Sequence, residues 1–143
     1  MRVFRPTSTA TFERVYALDT NIVSYYMRRE GNVVPRLQAL PPHRLALPSV
    51  VVLEVRFGLL RKGMPSALAA FDALTAACGQ LDFDAEGADH AARIRLQLES
   101  TGTPIGLADL LIAATARRHG CTLVTHNTRE FSRVPGLLLE DWY

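Results

Sequence analysis

Short apolar runs alternate with stretches of helical period along nearly the whole chain from Val15 onward. Residues 15–18 predict a buried strand, and Asp19-Thr20-Asn21 then predicts a helix start, because such side chains accept from exposed N–H groups. Residues 33–40 predict a short second helix, closed by Pro41-Pro42. Residues 45–47 predict a strand, after which Pro48-Ser49 opens a helix to about Lys62. Gly63-Met64-Pro65 breaks it, and residues 66–77 predict another. Residues 80–83 are expected as a strand and residues 85–101 as a long amphipathic helix. Gly102-Thr103-Pro104 interrupts the chain before an alanine-rich helix over residues 107–119. A strand at 122–125, one helical turn at 128–131 and a short strand at 137–139 complete the pattern. Strands alternating with helices in this way predict an α/β fold, a parallel sheet covered by helices on both faces. A site in such a sheet lies beyond the C-terminal ends of the strands.

Residues 1–14 lack this periodicity and are rich in Thr and Ser. They are expected to be an N-terminal extension, either a disordered arm or a product of start-site choice, preceding a single domain over 15–143. The length of 143 residues suits one domain with an ordinary core. With 48% hydrophobic and 21% charged residues, the mix is globular. A formal charge of +2 argues against a polybasic nucleic-acid coat, and Lys62 is the sole lysine among the arginines. Cys78 and Cys121 lie far apart with no metal-ligand spacing, so both are expected to be reduced, buried thiols. No apolar run reaches the roughly 18–20 residues that span a bilayer, and the first residues lack a signal-peptide core. A cytoplasmic protein is the expectation.

Three carboxylates stand out. Asp19 falls at the C-terminal edge of the first strand, where it is either a helix N-cap or a site acid. Glu54 has Val50, Val51, Phe57 and Gly58 as its neighbours one turn away. It is either an edge-facing glutamate or a carboxylate that requires a cation, since apolar surroundings penalise its charge. Asp109 shares a face with Ile112, Ala113 and Ala116 in a helix that is apolar nearly all round. It either complements the helix dipole from the first turn or serves a site as a buried acid. The strand at 122–125 runs into Thr125-His126-Asn127, with Glu130 one turn on. Thr125, Asn127 and Glu130 add oxygen donors at the same edge, or else plain turn chemistry, and His126 is expected to face solvent or pack locally. Three carboxylates with small oxygen donors suit Mg2+ or Mn2+ rather than zinc. Neither a Ser–His–Asp arrangement nor a P-loop is present. A phosphoryl-receiver domain would need an acid pair after the first strand and a lysine at a strand end, and the sequence has neither.

The ordered set of Ala17-Leu18-Asp19-Thr20-Asn21, Val52-Leu53-Glu54-Val55-Arg56-Phe57-Gly58, Pro104-Ile105-Gly106-Leu107-Ala108-Asp109-Leu110-Leu111-Ile112-Ala113 and Thr125-His126-Asn127-Thr128-Arg129-Glu130-Phe131 resembles the PIN-domain ribonucleases. Val134-Pro135-Gly136-Leu137 and Leu139-Glu140-Asp141-Trp142 resemble the VapC toxins of toxin–antitoxin pairs in particular. The resemblance runs from about Val15 to Trp142. It implies an α/β/α sandwich and a Mg2+- or Mn2+-dependent endoribonuclease toxin, restrained by a cognate antitoxin and commonly homodimeric. The substrate it implies is structured RNA, tRNA included. Asp19, Glu54 and Asp109 match the family's three core acids. Asn127 stands where a fourth acid is common, which puts a tightly held second ion in doubt and leaves Glu130 as a partial substitute. On this basis Asp19, Asp109 and Glu54 are expected to hold metal, with Asn127 and Thr125 positioning water or phosphate. Arg28, Arg29, Arg61 and Arg129 are expected to grip the RNA backbone. A catalytically weak PIN module that serves mainly as a binding partner is the alternative.

Overall fold

In the computed structural model, residues 2–3 and 13–143 are described. Six parallel strands form one sheet: β1 (Arg2–Val3), β2 (Tyr16–Leu18), β3 (Leu45–Pro48), β4 (Gly79–Leu81), β5 (Thr122–Val124) and β6 (Leu139–Glu140). Their order across the sheet is β1-β4-β3-β2-β5-β6. Among the described residues seven α-helices connect them: α1 (Thr20–Arg28), α2 (Val33–Gln38), α3 (Ser49–Lys62), α4 (Pro65–Ala77), α5 (Ala85–Ser100), α6 (Leu107–Arg118) and α7 (Thr128–Phe131). From β2 the chain steps outward to β3 and β4, then returns past β2 to β5. With right-handed crossovers this reversal puts α1–α4 on one face and α5–α6 on the other. The result is the α/β/α sandwich.

The central strands β2, β3 and β5 are short because they are buried on both faces and few residues are needed to cross the core. Ala17, Leu18, Ala46, Leu47, Leu123 and Val124 are all fully buried. Tyr16 and Ala17 pair with Leu45 and Ala46 on one side, and Tyr16 to Leu18 with Thr122 to Val124 on the other. α6 lies against this centre through Ile112, Ala113, Ala114 and Ala116, each with no exposed surface. Its small side chains let the helix approach the sheet closely. Full burial of one Leu or Ile here contributes about 1.5–3 kcal/mol.

Helix ends follow the sequence signals. Gly63 closes α3 at φ 61°, where its N–H reaches the carbonyls of Leu59 and Leu60. Ala in that left-handed conformation would be strained. The final strand starts two residues later than the pattern predicts. After the positive φ of Gly136, the chain comes into register only where Leu139 pairs with Leu123 and Glu140 with Val124.

Part of the aperiodic N-terminal stretch joins the sheet, since the backbone of Arg2–Val3 pairs with Gly79 and Gln80. At its other end, Glu13 pairs with His43 and Arg14 with Glu140, and the expectation of an extension over 1–14 otherwise falls on residues 1 and 4–12, which lie outside the described residues. Cys78 and Cys121 are buried free thiols, and burial pushes them up to about 11 and about 12. Among the described residues, no helix is long and apolar enough to cross a membrane.

Candidate metal centre

The direction of chain travel reverses between β2 and β5, so the crevice beyond their C-terminal ends is the switch point of the sheet. Asp19 leaves β2 at this point, and its own N–H donates to the Val124 carbonyl of β5 at 2.9 Å. It is the N-cap residue of α1, so the capping reading holds for its backbone and for one carboxylate oxygen. Oδ1 accepts from Thr20 N at 2.8 Å, and Oδ2 accepts from the Thr125 hydroxyl at 2.7 Å. Thr125 has no exposed surface and Asp19 is only 4% exposed. The Thr125 hydroxyl also accepts from Asn127 N at 3.0 Å, which ties the turn after β5 to the same point.

Glu54 reaches the crevice from α3, where its Oε1 accepts from the Thr20 hydroxyl at 2.6 Å. Its surroundings differ from those expected. Val51, one turn before it, is buried, but Phe57, one turn after it, is 59% exposed, so the apolar neighbours enclose it on one side only. Arg56 turns to Asp72 at 2.8 Å. Glu54 therefore has a hydroxyl on α1, rather than a local cation, as its partner. Sequence reasoning passed over Thr20, although its place directly after Asp19 was the available signal.

Asp109 enters from the first turn of α6, half-buried. Its carboxyl is pushed up to about 6, chiefly by burial and then by the charge of Glu130, with Asp19 and Glu54 adding to it. A hydrogen bond shared with the Glu130 carboxyl works in the same direction. Asp19 is raised as well. Burial is the main cause, offset by the Thr125 hydroxyl and the Thr20 N–H, while the charges of Glu54 and Glu130 add to the rise. Glu130, on α7, thus faces the other acids, and Asn127 Nδ2 donates to its Oε2 at 2.8 Å. Four carboxylates from four elements therefore share one electrostatic site.

Such a cluster favours protons or a cation between its members. All of its donors are oxygens, which suits a hard ion. Among the described residues, no three Asp, Glu, His or Cys side chains are drawn tightly enough together to enclose an ion unaided. An ion that keeps several waters and takes one or two carboxylates directly, as magnesium does, does not need a tighter set. The residues fit the group.

The arginines divide. Arg28 and Arg29 line a groove of about 560 Å³ that runs from Thr20 and Glu54 between α1 and α3 toward Lys62. Arg28 also pairs with Glu30 at 3.0 Å. Arg61 lies outside this groove, its guanidinium 5.4 Å from the Phe57 ring centroid. Arg129 is exposed on α7, at the side of the crevice that carries Glu130.

A parallel α/β/α sandwich with an acid-lined crevice at its switch point narrows the class, and comparison with known proteins supplies the family. The PIN domain model matches residues 16–137. The tRNA(fMet)-specific endonuclease VapC of Shigella flexneri is 37% identical over 128 residues, covering 89% of this chain and 97% of that protein. Ribonuclease VapC2 of Rickettsia felis is 34% identical over 131 residues, 90% of this chain and 98% of the other. The crystal structure of DNA-bound VapBC from Salmonella typhimurium superposes with a TM-score of 0.84 at 31% identity, covering 91% of this chain and 99% of that one. The chain belongs to the PIN-domain family, among the VapC ribonucleases.

Proposed function

We propose that this chain is a metal-dependent endoribonuclease and the toxin of a toxin–antitoxin pair, acting in the cytoplasm on structured RNA of the tRNA class. The observation that carries the metal-dependent step is the convergence of Asp19, Glu54, Asp109 and Glu130 at the switch point, where burial and mutual charge raise Asp19 and Asp109 together. The similarity to a tRNA-specific endonuclease supports the substrate class, and the similarity to VapBC complexes supports a cognate antitoxin as partner. Leu53, Phe57 and Leu60 stand exposed along α3, which supports a second copy of the chain as a further partner.

Mg2+ or Mn2+ would be held by Asp19 and Asp109, with Glu54 joining directly or through water and Glu130 closing the fourth corner. When bound, the ion supplies Lewis-acid stabilisation of the charge that develops on the phosphodiester, and a more acidic water. Thr125 and Thr20 N fix the Asp19 carboxylate, so its lone pairs are aimed before the substrate arrives. The Thr20 hydroxyl orients Glu54, and Asn127 orients Glu130. A water placed by Asn127 and the carboxylates attacks the phosphorus, and the O–P bond to the leaving oxygen breaks as that oxygen gains a proton. Arg28, Arg29, Arg61 and Arg129 contact the RNA backbone and make binding salt-sensitive.

The weak-module alternative rests on Asn127, but the bond from Asn127 to Glu130 favours the enzyme, because it secures a fourth acid. The test is incubation of the pure protein with a pool of small RNAs, with manganese or with EDTA, followed by mapping of the new ends. Discrete ends that form with manganese and vanish with EDTA are expected. Absence of cleavage in manganese sinks the reading.

A further inference from the structure

Beside the acid crevice, on the β5–β6 side of α1, three rings are gathered: Tyr25, His126 and Tyr143. His126 and Tyr143 lie 4.5 Å apart between centroids at an interplanar angle of 34°, and Tyr25 meets Tyr143 at 4.6 Å and 60°. The cluster is held from several directions. His126 Nδ1 donates to Asp141 Oδ2 at 2.9 Å, and Asp141 Oδ1 accepts from Tyr143 N at 2.9 Å. His126 N donates to Asn21 Oδ1 at 3.3 Å, which fastens the residue to the first turn of α1. Gly31, at φ +62°, makes room for Tyr143, since a Cβ there would come within 3.0 Å of its ring. The guanidinium of Arg28 lies 5.6 Å from the Tyr25 centroid.

Despite this anchoring the rings remain open to solvent, with 43% of the His126 side chain and 48% of Tyr143 exposed. A cluster built only to pack would gain more by burial. Its position is also specific. His126 directly follows Thr125, the residue bonded to the Asp19 carboxylate, and its N–H is bonded to Asn21, two residues on from Asp19, so the backbone that carries the ring adjoins the acid crevice.

Resting on the ribonuclease reading above, we infer that His126 and Tyr143 form a stacking platform for one unpaired base next to the scissile phosphate. Stacking on an exposed ring tolerates any base and needs no net positive charge. That matters here, because Glu30 and Asp141 leave this side without a cationic surplus. The platform would fix the register of the RNA over the carboxylates, a positioning role expressed in substrate binding rather than in the chemical step.

The experiment uses the full chain with manganese and the RNA that the pool assay shows to be cut, resynthesised with one abasic nucleotide at a time around the cut. One abasic position is expected to lower kcat/KM about tenfold through KM, within the range of a single base–aromatic stack. His126→Ala is expected to lose a similar factor on intact RNA and to become indifferent to that abasic position, with kcat kept. His126→Phe, which retains a ring but loses the bond to Asp141, is expected to recover most of the loss. Equal sensitivity at every position, or His126→Ala keeping the parent's abasic profile, overturns the platform and leaves the ribonuclease reading intact. A parent chain that cuts no RNA overturns both.

Discussion

Asn127 Nδ2 donates a 2.8 Å hydrogen bond to Glu130 Oε2 across the one-turn helix α7. The amide thus stands one step behind the acid and orients it toward Asp109, whose carboxyl Glu130 raises. On the proposed function the two residues would divide the work of a fourth corner, one carrying charge and the other direction. Asn127→Ala is therefore expected to lower metal-dependent cleavage about tenfold, in the range for loss of a group that orients a metal ligand. Glu130→Gln is expected to cost at least as much. Initial rates across a manganese titration check this, and a Glu130→Gln enzyme with the parent's rate and metal dependence would remove Glu130 from the site.

Asp109→Asn and Asp19→Asn are each expected to reduce cleavage by about a hundredfold or more, since an ion's stabilisation of the transition state is worth several kcal/mol. Circular dichroism is expected to show an unchanged fold. Full activity in either variant would contradict the assignment.

Thr125→Val keeps the shape of a fully buried side chain but removes its hydroxyl. Asp19 then loses a donor and Asn127 N loses an acceptor. Stability is expected to fall by about 2 kcal/mol, read as a drop in Tm of about 6 °C. Thr125→Ser, which retains the hydroxyl, is expected to recover most of it. Thermal melts of the three proteins decide the point.

Stability of the metal-free protein depends on pH through the same cluster. Asp109 holds its proton to about 6 in the folded chain, against an ordinary value of 3.8. Between these values the folded state binds more protons than the unfolded state, so stability falls as pH rises. The contribution is complete below about the ordinary value and lost above about 6, with Asp19 displaced in the same direction. Asp84, held down by the Gly87 N–H, acts in the opposite sense but in a separate window below 3.8. Tm without metal is thus expected to be higher near pH 5 than near pH 7.5. Magnesium is expected to close that gap, and Asp109→Asn to narrow it. Melts that rise with pH in the absence of metal would contradict this.

The exposed face of α3 gives a fifth check. Leu53, Phe57 and Leu60 are each about 60% exposed or more, a concentration of apolar surface that soluble monomers tend to avoid. Phe57→Glu is expected to shift the chain from dimer to monomer by light scattering, and a parent that is already monomeric removes the second-copy proposal.

The helices and central strands were legible because their punctuation is local. Pro41-Pro42, Pro48-Ser49, Gly63 and Gly102-Thr103-Pro104 act on the backbone wherever the chain goes. Strand β1 was not legible, since a two-residue edge strand has no period to detect and owes its place to Gly79–Gln80 far along the chain. The acids were legible unequally. Asp109 carried its signal in an apolar helix that is indeed buried. Glu54 draws attention through apolar neighbours, of which Val51 is buried but Phe57 faces solvent. Its partner, the Thr20 hydroxyl 34 residues away, is a tertiary fact that no local pattern contains. Glu130 is legible in the sequence as an oxygen donor or turn chemistry and, through the resemblance, as a partial substitute for the fourth acid, while its approach to Asp109 depends on where α7 folds.

The bond between Thr125 and Asp19 spans 106 residues of chain. At a synthesis rate of about 5–20 residues per second, Thr125 is added about 5–20 s after Asp19. Until then the first acid lacks its hydroxyl partner, and Asp109, Asn127 and Glu130 arrive at nearly the same late moment. In a nascent chain the acid cluster is thus incomplete until the segment from Asp109 to Glu130 has been made. The chain's cutting edge is assembled last, by a segment that emerges when the rest of the chain is already outside.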